Sequence, residues 1–188
     1  MTHAFESSFQ RFQQVRTLTI FDSRPVIIID NAAEARIQGL DLAAVLRLSP
    51  RLSLDLGVVW LPRRNFVDYT TLASNDTLSA NKLSGAPEWS RSASIEYSVP
   101  VRELGNFRLR VDYNSRSQFF FTSDNDSVLA QEGFGLLNLF LRFDSARERW
   151  YVLTSVRNAT NTDYFTQAYI QSNPGYPRTY EAGFGLRF

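Results

Sequence analysis

The chain has 188 residues, with 20 Lys and Arg against 19 Asp and Glu, one His, one Met and no Cys, for a net charge of +1. That length suits one domain or a piece of a larger one, and the balanced charge argues against a nucleic-acid binder, whose basic face normally shows in the totals. Zero cysteines exclude a disulfide framework, a thiolate nucleophile, a Cys zinc site and an iron–sulfur cluster. With His3 as the only imidazole, a triad or a histidine metal site has almost no material either.

Ring content is the informative figure. Fifteen Phe, eight Tyr and three Trp make 14% of the chain, while charged residues reach 21% and the mean hydropathy is −0.24. A membrane β-barrel explains rings and charges together, because it alternates lipid-facing apolar residues with lumen-facing polar ones. No run approaches the roughly 20 apolar residues of a membrane helix; the longest, Val26-Ile27-Ile28-Ile29, has four. The opening MTHAFESSFQRFQQ lacks the basic segment and apolar core of a secretory signal.

In chain order, the first two strands are expected over residues 5–21 and 25–48. Within the second, the apolar parity flips at Gly39, from Ala35 and Ile37 to Leu40 and Leu42, as a bulge or a strand leaving the membrane would produce. Leu40, Leu42, Ala44, Leu46 and Leu48 then alternate with Asp41, Ala43, Val45 and Arg47. After a short turn at Ser49-Pro50-Arg51, Leu52, Leu54, Leu56, Val58 and Trp60 alternate with Ser53, Asp55, Gly57 and Val59. A fourth strand carries Ala93, Ile95, Tyr97 and Val99 on one side; a fifth carries Phe107, Leu109, Val111 and Tyr113; a sixth carries Leu137, Leu139, Leu141 and Phe143. In residues 150–158 either Trp150, Val152, Thr154 and Val156 or Tyr151, Leu153 and Ser155 face outward. The chain closes on Tyr180, Ala182, Phe184, Leu186 and Phe188. This period of two defines strands rather than helices.

Connections alternate in length. Turns at 49–51, 100–105 and 144–148 are short, whereas 67–84, 122–132 and 159–177 are long and rich in Asn, Asp, Ser and Thr, the asymmetry of outer-membrane barrels. The expected fold is all-β: about eight antiparallel strands in an up-down meander forming a transmembrane barrel segment. Trp60, Trp89, Tyr97, Tyr113, Trp150 and Tyr180 fall near strand ends, where an aromatic girdle meets the headgroups. Asp41, Asp55, Glu96, Arg108, Arg110, Asp112, Arg142, Glu181 and Arg187 take the lumen side, as cross-strand ion pairs or as a substrate route. Asp68, Tyr69, Phe119, Phe121, Asp124, Tyr164, Tyr169 and Tyr176 sit in the long loops as candidates for ligand capture. Ser123-Asp124-Asn125-Asp126-Ser127 lacks the glycine and closing glutamate of a calcium loop, and the repeated Gly-Phe-Gly-Leu at 133 and 183 is not a phosphate loop.

The ending Pro177-Arg178-Thr179-Tyr180-Glu181-Ala182-Gly183-Phe184-Gly185-Leu186-Arg187-Phe188 resembles the last strand of TonB-dependent outer-membrane receptors. Residues 31–41 (NAAEARIQGLD), 85–90 (GAPEWS), 131–138 (QEGFGLLN) and 157–165 (RNATNTDYF) are similar to other blocks of that family, in the same order and spacing. The resemblance covers nearly the whole chain, yet only the C-terminal part of a family member, whose barrel of 22 strands is closed by a plug domain. It implies that residues 1–188 are the C-terminal part of the receptor barrel, with plug, signal peptide and earlier strands absent. It further implies an integral β-barrel of the Gram-negative outer membrane, no cofactor and no enzymatic activity. The parent would take up a scarce ligand, an iron chelate or siderophore or a saccharide, by energised transport. Implied partners are outer-membrane lipid, the missing plug and N-terminal strands, the TonB protein through the parent, and the barrel-assembly machinery. That machinery would read Tyr180, Ala182, Phe184, Leu186 and Phe188. The alternative is a stand-alone eight-stranded outer-membrane barrel with a structural or interaction role. An outer-membrane enzyme would need a Ser/His constellation that the single His3 does not supply.

Overall fold

In a computed structural model, residues 1–21, 24–70, 77–169 and 171–187 are described, those at 11–21 and 24–33 by their backbone alone. The strands are β1 (Thr2–Phe21), β2 (Arg24–Ser49), β3 (Leu52–Asp68), β4 (Trp89–Val101), β5 (Gly105–Arg116), β6 (Phe119–Phe120), β7 (Ala130–Gln131), β8 (Phe134–Ser145), β9 (Trp150–Arg157), β10 (Phe165–Ala168), β11 (Ser172–Pro174) and β12 (Thr179–Leu186). Eight of them form one antiparallel meander in the order β1-β2-β3-β4-β5-β8-β9-β12, and β6/β7 and β10/β11 are small hairpins inside the loops. Among the described residues β1 and β12 do not pair, so the sheet is open at both edges. The turns after β2, β4 and β8 gather at one end, and the long loops at 69–88, 117–133 and 158–178 gather at the other.

Register gives the sheet two chemically distinct faces. Leu46 lies opposite Leu54, Leu54 opposite Ile95, Ile95 opposite Val111, Val111 opposite Leu139, Leu139 opposite Val156 and Val156 opposite Tyr180. One apolar row thus crosses seven strands. The neighbouring row pairs Asp55 with Ser94, Ser94 with Asp112 and Asp112 with Asn138. On the apolar face Ile95, Leu109, Leu141 and Phe184 remain 42–65% exposed. Both buried clusters lie at the long-loop end rather than under this face. Apolar surface left in water forfeits about 25 cal/mol per Å², so this face calls for an apolar neighbour.

The register settles the phase that residues 150–158 leave open. Val152 lies between Phe143 and Phe184, placing Trp150, Val152, Thr154 and Val156 on the apolar face and Tyr151, Leu153 and Ser155 on the polar one. Tyr151 suits that side because its ring lies under the guanidinium of Arg142, 4.1 Å away, with that of Arg187 at 5.5 Å. Gly185 makes room for it: a Cβ there would come within 2.3 Å of the ring.

The irregularity at Gly39 lies in its partner strand. Gln38 pairs with Arg63 and Leu40 with Trp60, so Leu61 and Pro62 together face Gly39. A Cβ on Gly39 would meet Leu61 Cδ2 at 2.6 Å and the Trp60 carbonyl at 2.8 Å. Proline has no N–H to give a ladder and is tolerated at such a bulge. Beyond it β3 is turned over: Arg64 and Phe66 stand opposite Ile37 and Ala35, on the polar side of the sheet.

Candidate functional site

The long-loop end is built from three interlocked loops. In the first, Phe66, Tyr69, Leu78 and Leu83 bury with Ala35, and Ile37 and Ala86 pack against them. The returning chain pairs with upper β3, Phe66 N–H donating to Asn81 O (3.0 Å) and Leu83 N–H to Arg64 O (2.8 Å). Arg64, 4% exposed, donates to the carbonyls of Ala86 and Leu61 (both 2.9 Å) and meets Glu88 at 3.5 Å. Burial lowers its guanidinium below the ordinary arginine value, and Glu88 opposes that shift.

The second loop is fastened to the first. Asn125, in the left-handed region at φ 56°, accepts the Lys82 N–H (2.7 Å) and donates to Lys82 O (2.9 Å). Its side chain thereby pairs with Lys82 as a strand residue would. Asn81 Nδ2 donates to Ser123 O (3.0 Å) and Gly85 N–H to Phe120 O (2.8 Å). Asp126 caps the 3-10 turn Ser127–Leu129 by accepting the Val128 N–H. The acidic run at 123–127 therefore serves loop architecture, and among the described residues no cluster fit to hold a metal occurs.

Loop three is tied to loop two. Phe119, Phe121 and Ala168 share a buried cluster with Leu129, Phe134 and Tyr169, and Gln131 Oε1 accepts the Phe165 N–H (2.7 Å). Tyr164 stacks on Phe134, with ring centroids 4.9 Å apart. At the base of the loop, Asn158 (φ 48°) accepts the Thr162 N–H and donates to the carbonyls of Thr162 and Tyr176.

Of the loop residues singled out by sequence, Tyr69, Phe119 and Phe121 are 0–8% exposed and hold the loops in shape. Asp68, Asp124 and Tyr176 are exposed, and Tyr164 and Tyr169 are half-buried. Tyr164 and Tyr169 line a hollow of about 430 Å³ between the loops, with Phe134, Phe165 and Arg116. Sequence reading passed over Arg116. It stands at the top of β5 on the polar face, opposite Ser90 and Phe134, and is exposed. No hydrogen bond or ion pair engages its guanidinium among the described residues. It also borders a groove of about 470 Å³ on the polar face. That groove runs over small side chains, Ala43, Gly57, Ser90 and Ser92, and Gly57 is so close to Ser92 that a Cβ would lie 2.5 Å from its hydroxyl.

The nine charged residues assigned to one side all lie on the polar face. Near the short turns they gather round Asp144, which sequence reading placed in a turn. Arg108 reaches it at 2.8 Å, Arg142 at 2.7 and 2.8 Å, and Arg187 at 3.9 Å. Further up, Arg110 and Ser94 both hold Asp112, and Glu181 accepts from Ser155 (2.9 Å) and pairs with Arg157 (3.3 Å). On the apolar face Trp60 and Trp89 stack at 5.4 Å near the long-loop end, with Tyr113 and Tyr180 on that side, while Tyr97 and Trp150 stand nearer the short turns. Tyr180, Ala182, Phe184 and Leu186 line the apolar face of the edge strand β12; Phe188 lies outside the described residues.

An open up-down meander with one apolar face, one charged face and elaborated loops at a single end is a portion of an outer-membrane barrel. The family model for the TonB dependent receptor-like β-barrel matches residues 3–183, and the chain belongs to that family. Its members are transporters rather than enzymes, reside in the outer membrane, and are coupled to TonB through the intact receptor. No curated protein matches the chain in sequence. Among solved structures it is similar to the ferric yersiniabactin uptake receptor FyuA of Yersinia pestis, at 21% identity and TM-score 0.78, over 100% of this chain and 27% of that one. The ferric preacinetobactin receptor BauA of Acinetobacter baumannii gives 19% and 0.73, over 97% and 26%. The ferric-catecholate import receptor Fiu of E. coli K12 gives 16% and 0.68, over 100% and 25%. The chain thus spans about a quarter of each of these receptors, and at such identities the likeness shows the fold alone.

Proposed function

We propose that this chain forms the C-terminal run of strands in the barrel of an energised uptake receptor. Its apolar face lies against outer-membrane lipid and its three long loops face the cell exterior. The intact receptor, with the plug and further strands, takes up an anionic iron chelate. The observation that carries the ligand class is the loop hollow, where the uncommitted Arg116 stands among Phe134, Tyr164, Phe165 and Tyr169. A guanidinium offers paired donors to a carboxylate or phenolate, and the rings offer faces to a flat ligand. The uptake roles of the siderophore receptors among the structural neighbours agree with this reading.

The edge strand β12 is the segment we assign to recognition by the barrel-assembly machinery, through Tyr180, Ala182, Phe184 and Leu186. Its outer edge, unpaired among the described residues, offers a strand to join, with one side of the strand apolar. A closed eight-stranded barrel would instead require β1 to pair with β12.

The test is iron uptake by cells producing the receptor that carries this chain, supplied with ferric chelates of different charge. Arg116→Ala should weaken binding of anionic chelates about tenfold, equivalent to about 1.4 kcal/mol, with little effect on neutral ones. Uptake indifferent both to that substitution and to loss of TonB would defeat the proposal.

A further inference from the structure

On the apolar face, inward of the stacked Trp60–Trp89 pair, one charged side chain interrupts the belt among the described residues. Arg91 lies opposite Val58 on one side and Ser115 on the other, one step down the same face from Trp89 and one step up from Ala93. Charge on a lipid-facing strand is costly at mid-depth and tolerated only near the interface. Arg91 turns toward that interface, its guanidinium packing over the Trp89 ring at 5.1 Å. This explains why the residue is tolerated, but leaves its hydrogen-bond donors without partners among the described residues.

The surroundings supply a place for an anion. Beside Arg91 is a hollow of about 370 Å³ lined on the apolar side by Trp89, Tyr113, Ser115, Gly133 and Gly135, with Arg116, Ser117 and Phe134 completing its wall. Tyr113 leans across to the next strand and lies over Gly135, where a Cβ would fall 2.3 Å from its hydroxyl. The Arg91 guanidinium and the hydroxyls of Ser115 and Tyr113 have no hydrogen-bond partner among the described residues. None of the residues just named carries a carboxylate. Three donors, one of them a planar cation suited to two oxygens at once, fit a phosphate group.

We propose that Arg91, with Ser115 and Tyr113, holds the phosphate of an anionic lipid headgroup in the outer leaflet. The lipid is the occupant because the hollow opens on the apolar face at the level of the tryptophan pair, where headgroups meet acyl chains. The inference rests on the outer-membrane placement proposed above and is independent of the ligand carried.

The experiment uses the receptor that carries this chain, purified in detergent and examined by native mass spectrometry with phosphorylated lipid A, its dephosphorylated counterpart and inorganic phosphate. The native protein should retain the phosphorylated lipid preferentially. Arg91→Gln should reduce that retention about fivefold, equivalent to about 1 kcal/mol, and Arg91→Lys should fall between the two. Equal retention of the dephosphorylated lipid, equal retention by Arg91→Gln, or displacement by millimolar phosphate would each overturn it. Should Arg91→Gln fail to fold, the comparison of the two lipids on the native protein still decides. Heat-modifiable gel mobility is recorded alongside: a protein that never inserts refutes the outer-membrane placement, whereas one that inserts without phosphate preference refutes this inference alone.

Discussion

Asn125 is the residue on which the joining of the first two loops can be tested. Its amide makes two short bonds to Lys82, at 2.7 and 2.9 Å, from a backbone at φ 56°. Losing both bonds costs about 2 kcal/mol at roughly 1 kcal/mol each. An alanine in the left-handed region adds about 1 kcal/mol more, which glycine avoids. Asn125→Ala should therefore weaken the junction by about 3 kcal/mol and Asn125→Gly by about 2 kcal/mol. A suitable reporter is the Gly85 amide, which bonds to Phe120 across the same junction and is untouched by either substitution. If the loops part as a unit, its hydrogen exchange in the receptor should quicken about 30-fold in the glycine variant and about 150-fold in the alanine variant. The Leu83 amide, bonded to Arg64 within the first loop, should change much less. Unchanged exchange at Gly85, or identical rates in the two variants, would refute the reasoning.

Three further perturbations probe the sheet. Asp144→Asn removes the carboxylate shared by Arg108, Arg142 and Arg187; with those arginines 29–48% exposed, screening holds the expected loss to about 2–3 kcal/mol, read as a lower heat-modification midpoint and partly restored by adding Arg142→Gln. Leu141→Arg, on the apolar face between Leu109 and Thr154, should destabilise the inserted barrel by about 2–4 kcal/mol in urea titrations, and a cost below about 0.5 kcal/mol would show that this face does not meet lipid. Gly185→Val drives a side chain into Tyr151 and should loosen β12 by about 1–3 kcal/mol, slowing assembly; adding Tyr151→Ala should recover much of the rate, and no recovery would mean that the ring is not the obstacle.

The strands were legible because a barrel wall repeats one rule, apolar then polar, and the short turns break it cleanly. The expected strands at residues 5–21 and 25–48 correspond closely to β1 and β2. Where both parities carry rings or aliphatics, as at Tyr151 and Leu153, the rule has no purchase. There the phase comes from partners dozens of residues away, Phe143 and Phe184. Loop aromatics suffer the opposite ambiguity. Tyr69, Phe119 and Phe121 look like ligand contacts in a polar stretch, but whether a ring points outward or plugs its own loop depends on where distant residues such as Ala35 and Ala168 arrive. Arg116 offered no local signal, being one arginine among many; its distinction is its place among the rings of the loop hollow. Arg91 was a missed signal, since it keeps the odd parity of Ala93, Ile95 and Tyr97, and extending the alternation one step upstream reveals it.

The groove of Ala43, Gly57, Ser90 and Ser92 has a mechanical consequence. Ala43, Gly57, Ser90 and Ser92 keep its floor low, so that a neighbour can approach the backbone there, while Phe134, Leu136 and Tyr164 stand along its side. Towards the short turns the same wall carries Arg108, Arg142 and Arg187 around a single carboxylate, which grip by charge. The two ends of the wall therefore differ in relief and charge: a low-floored strip nearer the loops and a standing cluster of paired charges near the short turns.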